Sequence, residues 1–267
     1  MEKSASIFRF KKFNVMNERS AMKVNTDGVL LGAVMTLLPQ DRRLLDVGTG
    51  TGTIALMAAQ RLSEGFPVEP GMTGKMPGMT EHEITLRKFQ IEAIDIDEPS
   101  ATEAAANFRN SPWGQHMSVT QVSLEDFAAD LAEEVRYDLI FSNPPYFDDS
   151  LEAPQERRNN ARHTGSGLSY RELLEFSAKR LTEEGRFAIV LPADQERALT
   201  RHARMCGLHL FRMTRVRTVP RKAPSRVIAE FSRQRCETPE DTVLTIQNEG
   251  KYTQEYLSLT RDFYLLA

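Results

Sequence analysis

From residue 42 onward, short apolar runs alternate with longer segments in which apolar residues recur every three or four positions. The short runs predict buried strands, and the three clearest are RRLLDVG, YDLIFSN and RFAIVLP. The longer segments predict helices, as in TGTIALMAAQRL, where Ile54, Met57 and Leu62 share one face. Strands that alternate with helices predict an α/β fold with a doubly wound, mostly parallel sheet.

Seven strands are predicted in this way, and the last two are expected to form an antiparallel C-terminal pair. The remaining predicted strands are QIEAIDI, MSVTQVS, LHLFRMTRVRTV and SRVIAEFSR. The other predicted helices are EPSATEAAANF, LEDFAADLAEE, LSYRELLEFSAKRLTEEG, which is stopped at Gly185, and DQERALTRHARMCG, which is ended by Gly207.

Residues 65–83 break this rhythm, because they are rich in Gly, Pro, Met and Thr and show no apolar period. They predict a flexible insertion between the first helix and the second strand. The sequence therefore indicates one structural domain, with an N-terminal segment over residues 1–41 and the main body over residues 42–267.

The chain has 267 residues and a net charge of −3, but its basic residues are unevenly placed. Between Arg201 and Arg235 there are ten Lys and Arg residues against one acid, Glu230, which gives a local charge of +9. This segment indicates either a polyanionic partner at one face or a solvated arginine-rich surface.

The two cysteines, Cys206 and Cys236, match no metal-ligand spacing and form no disulfide framework, so we expect no metal. The N-terminal segment lacks the apolar core of a signal peptide, and no apolar run approaches the length of a membrane span. These features predict a cytoplasmic protein without a membrane partner.

A glycine-rich loop follows the first strand of the alternating region and contains Gly48, Gly50 and Gly52. Without Cβ atoms the loop can turn sharply and let a ligand touch the backbone. A pyrophosphate-binding fingerprint, G-x-G-x-x-G, needs glycine or alanine at position 53, where this chain has Thr53. The loop therefore favours a ligand without a pyrophosphate. S-adenosylmethionine is the natural candidate, and Asp46 is placed to act through the loop on its ammonium group.

A second acid is expected at the end of the next strand, where it would hold ribose hydroxyls. Asp95 in EAIDID occupies that place, and Asp97 is the lesser candidate. Alternatively, both aspartates cap the helix that follows.

The stretch SNPPYF comes directly after an apolar strand, and its two prolines forbid a helix. LLDVGTGTGTI and SNPPYF together resemble the class I S-adenosylmethionine-dependent methyltransferases that act on planar, amide-like nitrogens. The resemblance implies a Rossmann-like sheet and catalysis at four consecutive residues. These are Asn143, Pro144, Pro145 and Tyr146.

In that chemistry, the Asn143 side-chain oxygen and the Pro144 carbonyl grip the two hydrogens of an exocyclic amine, and Tyr146 stacks on the base. Asn143 also borders the cofactor. The same resemblance places the contact to the cofactor adenine at Ser123, with Leu124 beside it. Relatives often carry aspartate there, so Glu125 or Asp126 remain alternatives.

The flanks FKKFNVMNERSAMKVNTDGVLLGAV, NNARHT and LTRDFYLLA resemble the bacterial tRNA adenine-N6 methyltransferases that modify adenine 37 of a valine tRNA. The resemblance implies that Lys23, Thr26 and Asp27 lie over the methionine end of the cofactor, so that residues 1–41 pack over its site. Alternatively, NTDG is a turn leading into a helix.

The tRNA would be bound by basic residues on two segments of the chain. One set follows the catalytic motif, and the other belongs to the basic segment, which would receive the anticodon stem. The residues are Arg157, Arg158, Arg162, His163, Arg217, Arg221, Lys222 and Arg226.

Two other functions are compatible with parts of this pattern. A glutamine-N5 methyltransferase of a peptide release factor uses the same NPPY motif, but it has no need of a strongly basic segment. A non-catalytic RNA-binding protein could keep the cofactor fold, but it would have no need of a complete NPPY.

Overall fold

The computed structural model describes residues 6–64, 89–145 and 168–265. The strands in these residues are β1 (Ile7–Arg9), β2 (Asn14–Met16), β3 (Arg43–Val47), β4 (Gln90–Asp95), β5 (Met117–Gln121), β6 (Tyr137–Ser142), β7 (Leu181–Pro192), β8 (His209–Arg217), β9 (Arg226–Ser232), β10 (Glu240–Thr245), β11 (Gln247–Asn248) and β12 (Lys251–Tyr252). The α-helices are α1 (Thr26–Val34), α2 (Thr53–Glu64), α3 (Glu98–Arg109), α4 (Leu124–Asp130), α5 (Tyr170–Arg180), α6 (Glu196–Met205) and α7 (Gln254–Thr260). The predicted insertion, residues 65–83, lies outside the described residues.

The central sheet confirms the predicted doubly wound, mostly parallel arrangement. Its strand order is β10-β8-β9-β7-β6-β3-β4-β5. β9 runs antiparallel to both of its neighbours, β7 and β8, while the other adjacent pairs are parallel. The predicted antiparallel pair of β8 and β9 is therefore confirmed, and β10 adds an eighth strand that the apolar pattern did not predict.

The central strands are apolar throughout because both of their faces are covered by helices. In β3, the side chain of Leu44 joins one apolar cluster with α1 and α2, and that of Leu45 joins a second cluster with α5 and α6. Phe141 and Ile140 divide between the same two clusters. This two-sided burial explains why these strands show continuous apolar runs instead of alternation.

The junction of α5 and β7 corrects one predicted boundary. The helix begins at a capping box between Ser169 and Glu172, ends at Arg180, and does not continue to Gly185. β7 starts at the next residue, and its pairing with β6 shifts register between Tyr137 and Leu139. A Cβ on Gly185 would lie 2.8 Å from the Tyr137 carbonyl oxygen. Gly185 is thus required by close strand contact, not by helix termination.

The parallel strands bring several chain segments to one edge of the sheet, at their carboxyl ends. The loops after β3, β4 and β6 meet there, as expected for a ligand site in such a sheet. β8 ends and β9 begins at the same edge, so residues 218–225 also lie there. We call residues 17–25, which connect β2 to α1 across this edge, the N-terminal strap.

Candidate active site

The loop between β3 and α2 requires its glycines for conformation and for packing. Gly48, Gly50 and Gly52 have φ values of 71°, 56° and 80°, in the left-handed region. A Cβ on Gly52 would lie 2.5 Å from a ring carbon of Phe108 in α3. The backbone of the loop is also tied to the next strand, because the N–H of Gly48 donates to the Ile94 carbonyl at 2.8 Å.

Asp95 holds this loop through its carboxylate. Its Oδ2 accepts from the Gly50 N–H at 2.8 Å, and its Oδ1 accepts from the Asp97 N–H at 2.9 Å. Burial raises the pKa of Asp95, while these two backbone N–H groups oppose the rise. An ionised carboxylate has about four acceptor positions. Each oxygen therefore keeps capacity for a ribose hydroxyl.

Asp97 has a different role from Asp95. It is the N-cap residue of α3, and its side chain accepts from the Ser100 N–H at 3.0 Å and from the Ser100 hydroxyl at 2.7 Å. The helix-cap interpretation of the sequence therefore describes Asp97, whereas Asp95 faces the glycine loop.

Asp46 lies fully buried beneath the same loop. Its Oδ2 accepts from the Thr49 hydroxyl at 2.7 Å, while its Oδ1 is buried without a hydrogen-bond partner among the described residues. Burial raises the pKa of Asp46 to about 7, and the nearby charge of Asp95 adds to the rise. A buried acceptor left unsatisfied beneath a glycine loop suits the cationic ammonium of an amino-acid ligand.

Asn143 follows the end of β6 and lines a cavity beside the glycine loop. It is 5% exposed, and its Nδ2 lies 3.5 Å from the Met22 Sδ in the N-terminal strap. Asn143, Gly48, Gly50 and Met22 line one cavity. Pro144 is buried and Pro145 is exposed. Tyr146 lies outside the described residues.

The N-terminal strap covers the glycine loop, and Lys23 and Asn25 make local contacts within it. The Lys23 Nζ donates to the carbonyl oxygens of Asn17 at 2.7 Å and Glu18 at 2.6 Å, and Lys23 also lines the cavity. Asn25 caps α1, which starts at Thr26. The NTDG stretch thus leads into a helix, and the contact of Lys23, Thr26 and Asp27 with the methionine end of the cofactor stays a prediction. Sequence reasoning missed Met22, since a few apolar residues in a short, mostly polar segment give no periodic signal.

Ser123 and Leu124, which the resemblance places at the cofactor adenine, lie at the start of α4. Ser123 is the N-cap residue of α4, and its hydroxyl accepts from the Asp126 N–H at 3.0 Å and donates to the Asp126 carboxylate at 2.6 Å. Leu124 is the first residue of α4 and packs partly against the core.

The basic segment, residues 201–235, does not form one face. Acids from distant parts of the chain neutralise some of its charge, as Glu196 and Asp241 do for Arg215. Arg226 likewise pairs with Asp27 at 2.8 Å. The strand directions place residues 217–226 at the edge with the cavity, whereas Arg235 follows β9 at the opposite edge.

Within residues 217–226, two basic side chains are exposed and make no ion pair in the described structure, Arg221 and Lys222. Arg217 donates to the Thr245 hydroxyl at 2.8 Å and to the Pro220 carbonyl at 3.1 Å. The other predicted RNA-binding residues, Arg157, Arg158, Arg162 and His163, lie outside the described residues.

Residues 6–64, 89–145 and 168–265 contain neither a metal-ligand cluster nor a membrane-spanning helix. No group of three or more His, Cys, Asp or Glu side chains there is arranged to hold a metal ion. The helices within the same residues are too short or too polar to cross a membrane.

Comparison with known proteins places this architecture in a family. The model of the UPF0020 family, described as an RMKL-like methyltransferase domain, matches residues 33–222. The tRNA1(Val) (adenine(37)-N6)-methyltransferase of Parabacteroides distasonis is 40% identical over 259 residues, which cover 97% of each chain. The protein of the same name from Tolumonas auensis is 36% identical over 97% of this chain and 96% of its own.

A solved structure supports the fold independently of close sequence similarity. A predicted O-methyltransferase of Agrobacterium tumefaciens, Atu636, superposes with a TM-score of 0.58 at 14% identity. The match covers 89% of this chain and 96% of that one. At such low identity it shows the fold alone.

We predict that Asp95→Ala weakens binding of S-adenosylmethionine by about 1.5–3 kcal/mol, because charge-assisted bonds to ribose are lost. Titration calorimetry measures the affinity. Asp97→Ala is the matched control, since it removes only a helix cap and should cost about 1 kcal/mol of stability. If only Asp97→Ala lost affinity for S-adenosylmethionine, the ribose contact would be reassigned from Asp95 to Asp97.

We predict that Asp46 makes stability depend on pH between about pH 4 and pH 7. Its pKa is raised from 3.8 to about 7, so in this window the folded protein holds a proton that the unfolded chain releases. The free energy of unfolding should therefore fall, relative to Asp46→Asn, by about 1.4 kcal/mol for each pH unit.

Urea denaturation at pH 5, 6, 7 and 8 measures this difference, with the exposed Asp130→Asn as control. A difference between parent and Asp46→Asn that stays constant with pH would contradict the assignment.

Proposed function

Since the chain belongs to the tRNA1(Val) (adenine(37)-N6)-methyltransferase family, we propose that it transfers a methyl group to N6 of adenine 37 in the anticodon loop of a valine tRNA. The observation that carries the proposal is the single cavity shared by the glycine loop and Asn143. The chain aligns with these relatives over nearly its full length.

The cofactor is S-adenosylmethionine, which supplies an electrophilic methyl group on a positively charged sulfur. The Gly48–Gly52 loop and Asp95 would hold its amino-acid and ribose parts. Asp46 lies beneath this loop as a buried acid, placed to favour a cationic group. These assignments are our proposal for the binding residues.

Asn143 and Pro144 would prepare the attacking nitrogen. The lone pair of the adenine N6 amine is delocalised into the ring, which makes it a weak nucleophile. Acceptors for both of its hydrogens favour a pyramidal nitrogen and so stabilise the transition state more than the ground state. The Asn143 Nδ2 lies 3.5 Å from the Met22 Sδ. We propose the Asn143 Oδ1 as the acceptor for one hydrogen of the amine. The prolines hold the Pro144 carbonyl rigid beside it.

Recognition of the tRNA would use positive charge at the edge that carries the cavity. Arg221 and Lys222 are exposed there on the loop between β8 and β9. Phosphate contacts position an RNA without reading its sequence. Adenine 37 lies in a single-stranded loop, so turning it into the cavity costs less than opening a base pair.

We make two broader proposals, one on localisation and one on domain organisation. A tRNA substrate favours action in the cytoplasm. The packing of residues 17–25 over Gly50 supports one structural domain in which residues 1–41 cover the cofactor site and residues 42–267 form the methyltransferase body.

The experiment that tests the function is methylation of total tRNA with labelled cofactor, followed by mapping of the modified nucleoside. We expect N6-methyladenosine at position 37 of a valine tRNA and no label on a peptide release factor. Label on a release-factor glutamine would favour the glutamine-N5 function, and no label on either would favour a non-catalytic RNA-binding protein.

We predict that Asn143→Ala abolishes methyl transfer while affinity for S-adenosylmethionine changes little, because Asn143 acts on the target amine. A turnover assay beside calorimetry separates the two effects. An active Asn143→Ala protein would remove Asn143 from the catalytic step.

We predict that Arg221→Glu with Lys222→Glu lowers tRNA affinity and flattens its dependence on salt, because phosphate contacts release counterions. Filter binding at several salt concentrations measures both. Arg204→Glu with Arg235→Glu makes the same charge change at the opposite edge and should have a smaller effect. Equal losses in the two double variants would argue against a tRNA surface at the cavity edge.

A further inference from the structure

The backbone of the N-terminal strap is bound by a buried carboxylate of α3. The Glu103 Oε1 accepts from the N–H groups of Glu18 at 2.6 Å and Arg19 at 3.0 Å, and its Oε2 accepts from the Ser20 N–H at 2.8 Å. Glu103 is only 1% exposed. Consecutive backbone N–H groups that converge on one anion form a strong, charge-assisted contact.

A second buried side chain of α3 extends this contact to the glycine loop. The Asn107 Oδ1 accepts from the Met16 N–H at 2.7 Å, and its Nδ2 donates to the carbonyl oxygens of Met16 at 3.1 Å and Thr51 at 2.9 Å. Glu103 and Asn107 are four residues apart and therefore share one face of the helix. We call these two residues the α3 clamp.

From the α3 clamp the strap crosses the glycine loop and reaches Asn143, the proposed catalytic residue. The Ser20 hydroxyl donates to the Met22 carbonyl at 3.1 Å. A Cβ on Gly50 would lie 3.5 Å from that hydroxyl and 3.6 Å from the Met22 carbonyl oxygen, so the strap rests directly on the loop. The Met22 Sδ then lies 3.5 Å from the Asn143 Nδ2.

The part of the strap that contacts the α3 clamp has no apolar side chain buried in the core. Glu18, Arg19, Ala21 and Lys23 are exposed, while Ser20 is buried at 2% exposure. Val24 packs against the core beside α1, whereas the stretch from Glu18 to Ser20 is held by its three hydrogen bonds to Glu103.

We propose that Glu103 is a positioning residue for the methyl transfer. It holds the strap closed over the cofactor cavity and fixes Met22 against the Asn143 amide, although it touches neither cofactor nor base. The effect on Asn143 rests on the proposed function, whereas closure of the cavity does not.

Glu103→Gln tests the proposal, because the new NH2 group would face a backbone N–H donor in place of an acceptor. We expect trypsin to cleave after Arg19 and Lys23 about tenfold faster, and the Kd for S-adenosylhomocysteine to rise about tenfold. At saturating cofactor, kcat should fall while the KM for tRNA changes little. Glu98→Gln makes the same chemical change at an exposed position of α3 and should behave as the parent.

Asn107→Asp provides a second test, because a carboxylate cannot donate to the Met16 and Thr51 carbonyls. It should produce the same faster cleavage and weaker binding, and it decides the question should Glu103→Gln not fold. Cleavage rates and affinities equal to those of Glu98→Gln would overturn the proposal. A parent protein that binds S-adenosylhomocysteine but methylates no tRNA would instead refute the proposed function, and the cleavage and affinity results would still decide closure.

Discussion

The parallel pairing of β3 with β4 and β6 sets the distances on which the active site depends. In this register Val47 lies opposite Ile94, and Asp46 lies opposite Phe141. The strands therefore end level with one another, and the loops that follow them start from the same line. The Ser142 hydroxyl reinforces this alignment by donating to the Val47 carbonyl at 2.7 Å. A slip of one residue would reverse the faces of the side chains and separate the acids from the loop they serve.

Buried charge distinguishes the site from the rest of the molecule. Asp41 pairs with Arg186 at 2.5 Å, and Glu230 accepts from the Thr36 N–H at 2.7 Å with Arg212 nearby at 3.6 Å. These acids are compensated within the fold. Asp46 is equally buried but has no cationic partner among the described residues, which is why burial raises its pKa to about 7.

Much of the fold could be predicted because its strands are buried on both faces and its loops carry glycine, proline and acids at strand ends. β10 was missed because its first residues, from Glu240, are largely exposed and polar. The helix before β7 was drawn too long because a glycine that allows close strand contact looks the same in sequence as one that ends a helix. The ion pairs of the basic segment could not be predicted, since an acid such as Asp27 pairs with Arg226 from almost 200 residues away along the chain.

Glu103 of the α3 clamp binds the strap through the backbone N–H groups of residues 18–20, and this limits how the sequence of the strap can change in evolution. Side chains at positions 18 and 19 point to solvent, so exchange of either residue leaves all three N–H groups of the contact in place. Proline is the exception, since it lacks the N–H. Deletion of one residue would instead shift the whole row of donors past Glu103. Natural variation in this stretch should therefore be free in side-chain identity and strict in length.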